Sequence, residues 1–515
     1  MRSATRSCVA LTSILILAFS VACGSTVQYS SEFSQSDSSG LPNTVVGEAE
    51  NPDIQGHDGS IDRSRSARLF PGDETRVDSS TGPFEATEMS ERRQFQANEN
   101  AVDPSKLTGQ GVTQSDIFIG YVTANGVQQL GESFGVESNY LGDQEGSARA
   151  VAQYINDRGG ISGKSIRLVF YDISNDKLFS KSGRSEAAQE ACERWTKDKP
   201  VFAVVSILTA LDDQTLVSCL STRGVPLIHA NQLLRPAEMY ARYSPYLYSG
   251  HTASLERLIV AFVERLNANE YFDGGWDADI SRPGAESTKV GIVARRDVYG
   301  QEFRNVTSTE LNRSGQDVAA VYEWDGDVSS ASSSMNEAVL RFKSASVTHV
   351  VSHFNSLAFF ATAAEQQNYR PRYSISSDNT PNVLQDIVPD AQLRGSVGIG
   401  YAPEFDVDAA QDPGKFSNAN SKCRRIMKNA GLDSRTGWDS CDGFGLLVDG
   451  LERASKMSTE GLRKGVHSIK SMSTAASFGI GYPNGRFDGG KNIRDLIYRN
   501  NCECYQYKSN KNFGI

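Results

Sequence analysis

Apolar positions alternate at Ile117, Ile119 and Tyr121, which predicts a strand with side chains on two faces. Further on, Ala148, Val151, Tyr154 and Ile155 recur at the spacing of one helical face. Gly159-Gly160 ends that helix, and alternation resumes at Ile166, Leu168 and Phe170. Strand, helix and strand without a hairpin turn predict a βαβ unit, which needs a parallel sheet and a crossover helix.

The two periods keep exchanging along the chain. Strands are expected at 201–205 and 226–228, with helices at 186–195 and 212–221. Residues 246–248 read as a first crossing into a second lobe, because Leu255, Leu258, Ile259, Phe262 and Leu266 begin a fresh apolar stripe. Strands at 290–294, 319–322, 349–351 and 373–375 then alternate with helices at 300–311, 335–342 and 357–366. Residues 395–401 read as a return crossing that Pro403 stops, and helices near 416–428 and 442–456 as packing back on the first lobe. The closing segment is expected to cross once more and end in strands near Cys502 and Tyr505.

The wording of the first unit is more specific than its architecture. Ile155-Asn156, Gly159-Gly160-Ile161, Gly163, Ile166, Leu168-Val169 and Asp172 together resemble the opening of type I periplasmic binding proteins, with the branched-chain amino-acid and amide group nearest. That resemblance implies an α/β fold of two Rossmann-like lobes with parallel sheets, joined by a three-crossing hinge. The expected division is a signal peptide at 1–22, a disordered tether at 23–112, the first part of lobe 1 at 113–251 and lobe 2 at 252–402. Lobe 1 resumes with return helices at 403–480, and 481–515 crosses to lobe 2.

The N-terminus reads as a targeting segment. Arg2 and Arg6 precede an apolar run from Val9 to Ala22, which is shorter than the roughly 20 residues a membrane-spanning helix needs. Ser20-Val21-Ala22-Cys23 resembles a bacterial lipobox, making Cys23 the candidate lipidation site, although Ser20 stands where an aliphatic residue is usual. An ordinary secretory signal is the other reading. Both imply export. Residues 24 to about 112 are dominated by Ser, Asp, Glu, Asn, Gly and Gln, with too little apolar surface to offset ordering entropy.

Export favours disulfides among Cys192, Cys219, Cys423, Cys441, Cys502 and Cys504. A Cys192–Cys219 bridge is also what the resemblance implies. A Cys502–Cys504 bridge would close a very small ring, so each is expected to pair with Cys423 or Cys441. Zinc binding lacks a CxxC pair with nearby histidines, and no metal or cofactor is expected. The net charge of −10 argues against a nucleic-acid partner. No catalytic motif is present: the chain has no nucleophile elbow, HExxH, Walker A or complete EF-hand loop.

Parallel sheets bind ligands beyond the carboxyl ends of their strands, and two facing lobes would bury a ligand between them. Candidate ligand contacts are therefore Ser206 and Thr209 after the third strand, Asn231 and Gln232 after the fourth, Tyr299 and Asp378. Amino-acid binders carry a hydroxyl cluster after the third strand, which Leu208, Ala210 and Leu211 interrupt here. Asn231 and Gln232 both donate and accept, suiting an amide or polar head group. In Asp297-Val298-Tyr299-Gly300 the resemblance places Tyr299 over the ligand, while Asp378 could pair with an ammonium or cap a helix. The expected function is a solute-binding lipoprotein on the outer membrane face, delivering a small polar ligand to an ABC permease by hinge closure. The alternative is a ligand-sensing or scaffold module of the same fold with a membrane partner.

Overall fold

The computed structural model describes residues 110–515, except 125, 127–141, 179–180, 209–213, 280, 285, 328–329, 354–355 and 409–416. Cys23 and the signal segment lie outside the described residues, as does nearly all of the proposed tether. The tether boundary at 112 needs correcting. Gly111 is already packed, its backbone oxygen accepting from the Phe118 amide, and its φ of +65° lets it lie against Val201 and Phe202.

The first sheet contains β1 (Asp116–Thr123), β2 (Ser165–Asp172), β3 (Ala203–Ser206), β4 (Leu227–His229) and β5 (Leu247–Ser249), in the order β2-β1-β3-β4-β5. All its pairings are parallel. Residues 246–248, expected as a crossing, thus contribute an edge strand, and the crossing follows it. The Gln144–Asn156 helix connects β1 to β2. Asn156 explains part of the motif there: its side-chain oxygen accepts from the Ile166 amide at 2.7 Å and its Nδ2 donates to the Ile166 carbonyl at 3.1 Å. The helix end and the strand start are thereby fixed to each other. Gly160 turns between them with φ +68°, and a Cβ there would meet the Lys164 carbonyl at 2.0 Å.

Both faces of this sheet are covered, which is why β1 is apolar on both. Val122, Val204, Leu227 and Leu247 share one core with Ala188, Trp195 and Leu216. Cys192 and Cys219 join the Lys181–Glu193 and Gln214–Thr222 helices on that side. Ile119, Tyr121, Val205 and Ile228 form the other core with Phe444, Leu447, Leu462 and Val466. Those last residues come from the helices Trp438–Glu452 and Thr459–His467, far along the chain.

After the small antiparallel pair β6 (Trp276–Asp277) and β7 (Arg282–Pro283), a second sheet forms. It holds β8 (Val290–Arg295), β9 (Val318–Trp324), β10 (His349–Ser352), β11 (Arg372–Ser376), β12 (Val397–Gly400), β13 (Asn492–Arg499) and β14 (Cys504–Tyr507), with β15 (Phe513–Gly514) pairing β13. Its order is β14-β13-β12-β11-β10-β8-β9, parallel from β8 to β12 and antiparallel beyond. The chain therefore passes between sheets three times: after β5, after β12 and before β13.

The expected pairing of the last four cysteines is overturned. Cys423 bonds to Cys441, joining the Asn418–Asn429 and Trp438–Glu452 helices, and Cys502 bonds to Cys504 in the turn between β13 and β14. The helix pair belongs to the first lobe and the β13–β14 turn to the edge of the second sheet, so each bridge closes within its own lobe. Glu503 between the two turn cysteines adopts φ 51°, which bends the chain back.

Phe444 is fully buried and stacks on Tyr121 with ring centroids 5.9 Å apart. Phe444→Ala is expected to cost about 3–5 kcal/mol, read as a lower midpoint in urea unfolding.

Candidate functional site

Segments that follow the parallel strands of the two sheets meet each other, at Tyr299 with Met239 and at Tyr401 with Gln232. Tyr299, in the first turn of the Val298–Arg313 helix after β8, is buried against first-lobe residues and sets its hydroxyl 3.5 Å from Met239 Sδ. Asp297 caps that helix, its carboxylate accepting from the Gly300 amide at 2.8 Å and pairing with Arg295. A Cβ on Gly300 would lie 2.1 Å from the Arg295 carbonyl, so this tight entry requires glycine. The Asp-Val-Tyr-Gly motif is thus a device for placing Tyr299, with Asp297 capping the helix that carries it.

Beyond β4 the chain builds a buried polar knot. His229 Nε2 lies 2.9 Å from the Tyr240 hydroxyl, and its Nδ1 lies 2.8 Å from Arg235 Nη1. A guanidinium has no acceptor, so Nδ1 accepts and the ring proton sits on Nε2, donated to Tyr240. Burial, helped by the nearby His251, pushes the His229 pKa down to about 3. Arg235 Nη1 also reaches the Leu233 carbonyl at 3.2 Å and Asn231 Oδ1 at 3.4 Å. Asn231 Oδ1 further accepts from the Leu233 amide at 3.2 Å, shaping the loop.

The remaining candidates divide. Ser206 ends β3, fully buried, with its hydroxyl 3.4 Å from the Leu208 carbonyl. Thr209 lies outside the described residues. The Gln232 backbone oxygen accepts from the Tyr401 hydroxyl at 3.3 Å, linking the two lobes. Asp378 is buried in the turn Ser377–Asn379 after β11 and raises the Tyr401 pKa along with burial. It does not cap the next helix, Pro381–Ile387, whose start is Thr380. The structure thus brings Gln232 and Asp378 to Tyr401, and Asn231 to Arg235 near Tyr299.

Sequence reasoning passed over Arg235 and Tyr240. Arg235 sits in the loop His229–Pro236 with no periodicity, and its only signal is an arginine enclosed by Leu233, Leu234 and Pro236. Among the described residues no group of three or more His, Cys, Asp or Glu is arranged to hold a metal ion. No helix among them is long and apolar enough to cross a membrane.

Comparison with known proteins fits this geometry. A family model described as periplasmic binding protein matches residues 133–494. The chain belongs to that family. No curated sequence matches. Among solved structures, a leucine-binding protein from Thermotoga maritima aligns with TM-score 0.53 at 12% identity, covering 76% of this chain and 98% of that one. A fatty acid ABC transporter substrate-binding protein from Thermomonospora curvata aligns at 0.55 and 15%, covering 79% and 95%. An ABC-transporter solute-binding protein from R. palustris, in complex with 4-hydroxybenzoate, aligns at 0.56 and 12%, covering 78% and 97%. The fold is the type I periplasmic-binding-protein fold, and members of the family are solute-binding proteins.

Two outcomes follow for this periplasmic binding protein. His229 should not titrate between pH 8 and 5, since its folded pKa lies well below the unfolded value. Its neutral form therefore supports folding above pH about 6.5 and loses that contribution as pH falls; histidine ring NMR shifts read this. Tyr401→Phe removes a hydrogen bond between lobes worth about 1 kcal/mol, and small-angle scattering should show a more open ligand-free protein.

Proposed function

We propose that the protein is an exported, lipid-anchored solute-binding protein that captures a small polar ligand between its lobes and delivers it to an ABC permease. The carrying observation is the seating of Tyr299, borne by the second lobe, against Met239 of the first. A residue held in one lobe and buried by the other makes closure sensitive to what lies between them. A ligand drives closure only to the extent that it contacts both lobes better in the closed form.

The proposed contacts are Ser206, Thr209, Asn231 and Gln232 from the first lobe, and Tyr299 and Asp378 from the second. An amino acid, an amide or a related compound is the ligand class. The relatives' names include leucine, a fatty acid and 4-hydroxybenzoate, so the scaffold accepts several chemistries and the strand-end residues decide. Cys23 is proposed as the lipidated residue, which would hold the protein on the outer face of a bacterial membrane, with residues 24 to about 110 as the tether. No catalytic step is assigned.

A thermal-shift screen against amino acids, amides, polyamines and short peptides is expected to yield at least one ligand that raises Tm by several degrees, about 2.7 kcal/mol at a hundredfold excess over Kd. Tyr299→Ala should weaken that ligand at least tenfold by calorimetry. An unchanged isotherm removes Tyr299 from the site, and a panel without any stabiliser argues against the ligand class. Labelling with an alkynyl fatty acid should mark the wild-type chain and leave Cys23→Ser unmarked.

A further inference from the structure

The second passage between the lobes buries a carboxylate where the first buries an imidazole. His251 lies two residues past β5 and is 1% exposed, with Nδ1 3.3 Å from Asp439 Oδ1. Asp439 and Asp442 belong to the first-lobe helix Trp438–Glu452. Asp442 accepts from the amides of Ala475 at 2.6 Å and Ala476 at 2.8 Å. Asp406, fully buried, ends the short helix that follows β12 and accepts from the Tyr507 hydroxyl at 2.6 Å and the Ala402 amide at 3.2 Å. His251 Nε2 and Asp406 Oδ1 have no hydrogen-bond partner among the described residues.

We infer that this cluster is a proton switch in the hinge: His251, Asp406 and Asp442, with the Asp439 carboxylate beside the imidazole, hold protons more tightly with the lobes closed than open, so falling pH drives closure. The inference rests on the reading of the chain as a binding protein that opens and closes. Asp406 follows a strand of the second sheet, whereas Asp439 and Asp442 ride on the first lobe. Phe405, next to Asp406, packs on Trp438, next to Asp439, with ring centroids 6.5 Å apart, so hinge rotation changes the distance of Asp406 from the first-lobe members of the cluster and admits water to it.

The sign follows from each group. Burial raises the pKa of Asp406 to about 7, against the hydrogen bonds from Tyr507, Ser377 and Ala402 and the charge of His251. Burial likewise raises Asp442 to about 7, against His251 and the two amides. Burial works against a charged His251, but Asp439, Asp442 and Asp406 outweigh it and hold its pKa above the usual value. Opening returns all three toward ordinary values, so the closed form binds the extra protons and gains stability below pH about 7. The other groups facing the cluster are His229, Tyr401, the Glu404–Arg424 pair and Arg494, which lies 5.6 Å from the Tyr507 ring centroid.

The test uses the ligand-free full chain with dyes on unnatural amino acids at the exposed positions Lys428 and Arg341, one on each lobe. Transfer efficiency is expected to rise from pH 8.5 to pH 5.5, the closing constant growing by up to about tenfold per pH unit for each proton taken up. Asp406→Asn, which keeps the shape and removes the charge, should lie nearer the closed value at pH 8.5 and lose at least half of the response. Asp439→Asn should also reduce the response, and it serves if Asp406→Asn does not fold. A flat wild-type profile, or a full response in folded variants, overturns the switch. Closure by a panel ligand without any pH response overturns the switch alone, whereas absence of ligand-driven closure counts against the binding function.

Discussion

The first sheet has one face that its own stretch of chain covers only in part. Tyr121, Val205 and Ile228 find much of their cover in Phe444, Leu447 and Val466, supplied only after the chain has built most of the other lobe and returned. The Tyr121 hydroxyl meets the Ser440 hydroxyl at 2.6 Å across 319 positions of sequence. Burying such a face stabilises the fold by roughly 25 cal/mol per Å2 of apolar surface, and the Gln144–Asn156 helix, through Ala148, Val151 and Ala152, supplies only part of that cover. This need for a distant partner makes each lobe discontinuous. Discontinuity in turn forces several chain segments through the narrow region between the lobes.

Those passages are braced unequally. The first and third run side by side: the Ser249 amide donates to the Phe487 carbonyl at 2.8 Å, and the Gly490 amide to the Thr252 carbonyl at 3.0 Å. Asp488 fastens them, accepting from the Ser254 amide at 2.7 Å and pairing with Arg257, whose other arm reaches the backbone oxygens of Gly490 and Ile515. The second passage is held instead by Ser377 Oγ, which accepts from the amides of Tyr401 and Ala402. It is tied to second-lobe groups, among them Tyr507, and to the first lobe through Glu404 and Asn420. The straps are thus one pair tied to each other and one separate segment tied to both lobes.

Local patterns carried much of the fold because its strands are buried on both faces and separated by glycine-marked turns. Asn156 and Gly160 show why the opening motif is so readable: each satisfies a backbone need within ten residues of itself. Asp297 and Gly300 do the same for the entry to the Tyr299 helix. Residues 246–248 misled because an edge strand and a crossing carry the same short apolar run, and only its pairing with β4 distinguishes them. The cysteine pairing failed for a related reason. Ring size argued against Cys502–Cys504, yet distance between lobes is the stronger constraint, and it has no local signature. Asp406 and Asp442 were equally hidden, since Tyr507, Ala475 and Ala476, which they bond, come from elements farther along the chain.

The same reasoning bears on what the cleft can recognise. Polar residues at strand ends serve either the ligand or the loops that hold them, and hydrogen-bonding capacity spent on one is withdrawn from the other. Asn231 directs its oxygen to the Leu233 amide and to Arg235, and Ser206 directs its hydroxyl toward the Leu208 carbonyl. In Gln232 it is the backbone oxygen that serves Tyr401, which leaves its side-chain amide outside that bridge. Asp378 brings negative charge beside Tyr401. A cleft built to grip a carboxylate through serine and threonine hydroxyls would be organised differently. On the binding reading proposed above, the interrupted hydroxyls at 206–210 and the acid at 378 together argue for a ligand that donates hydrogen bonds over one gripped by its carboxylate.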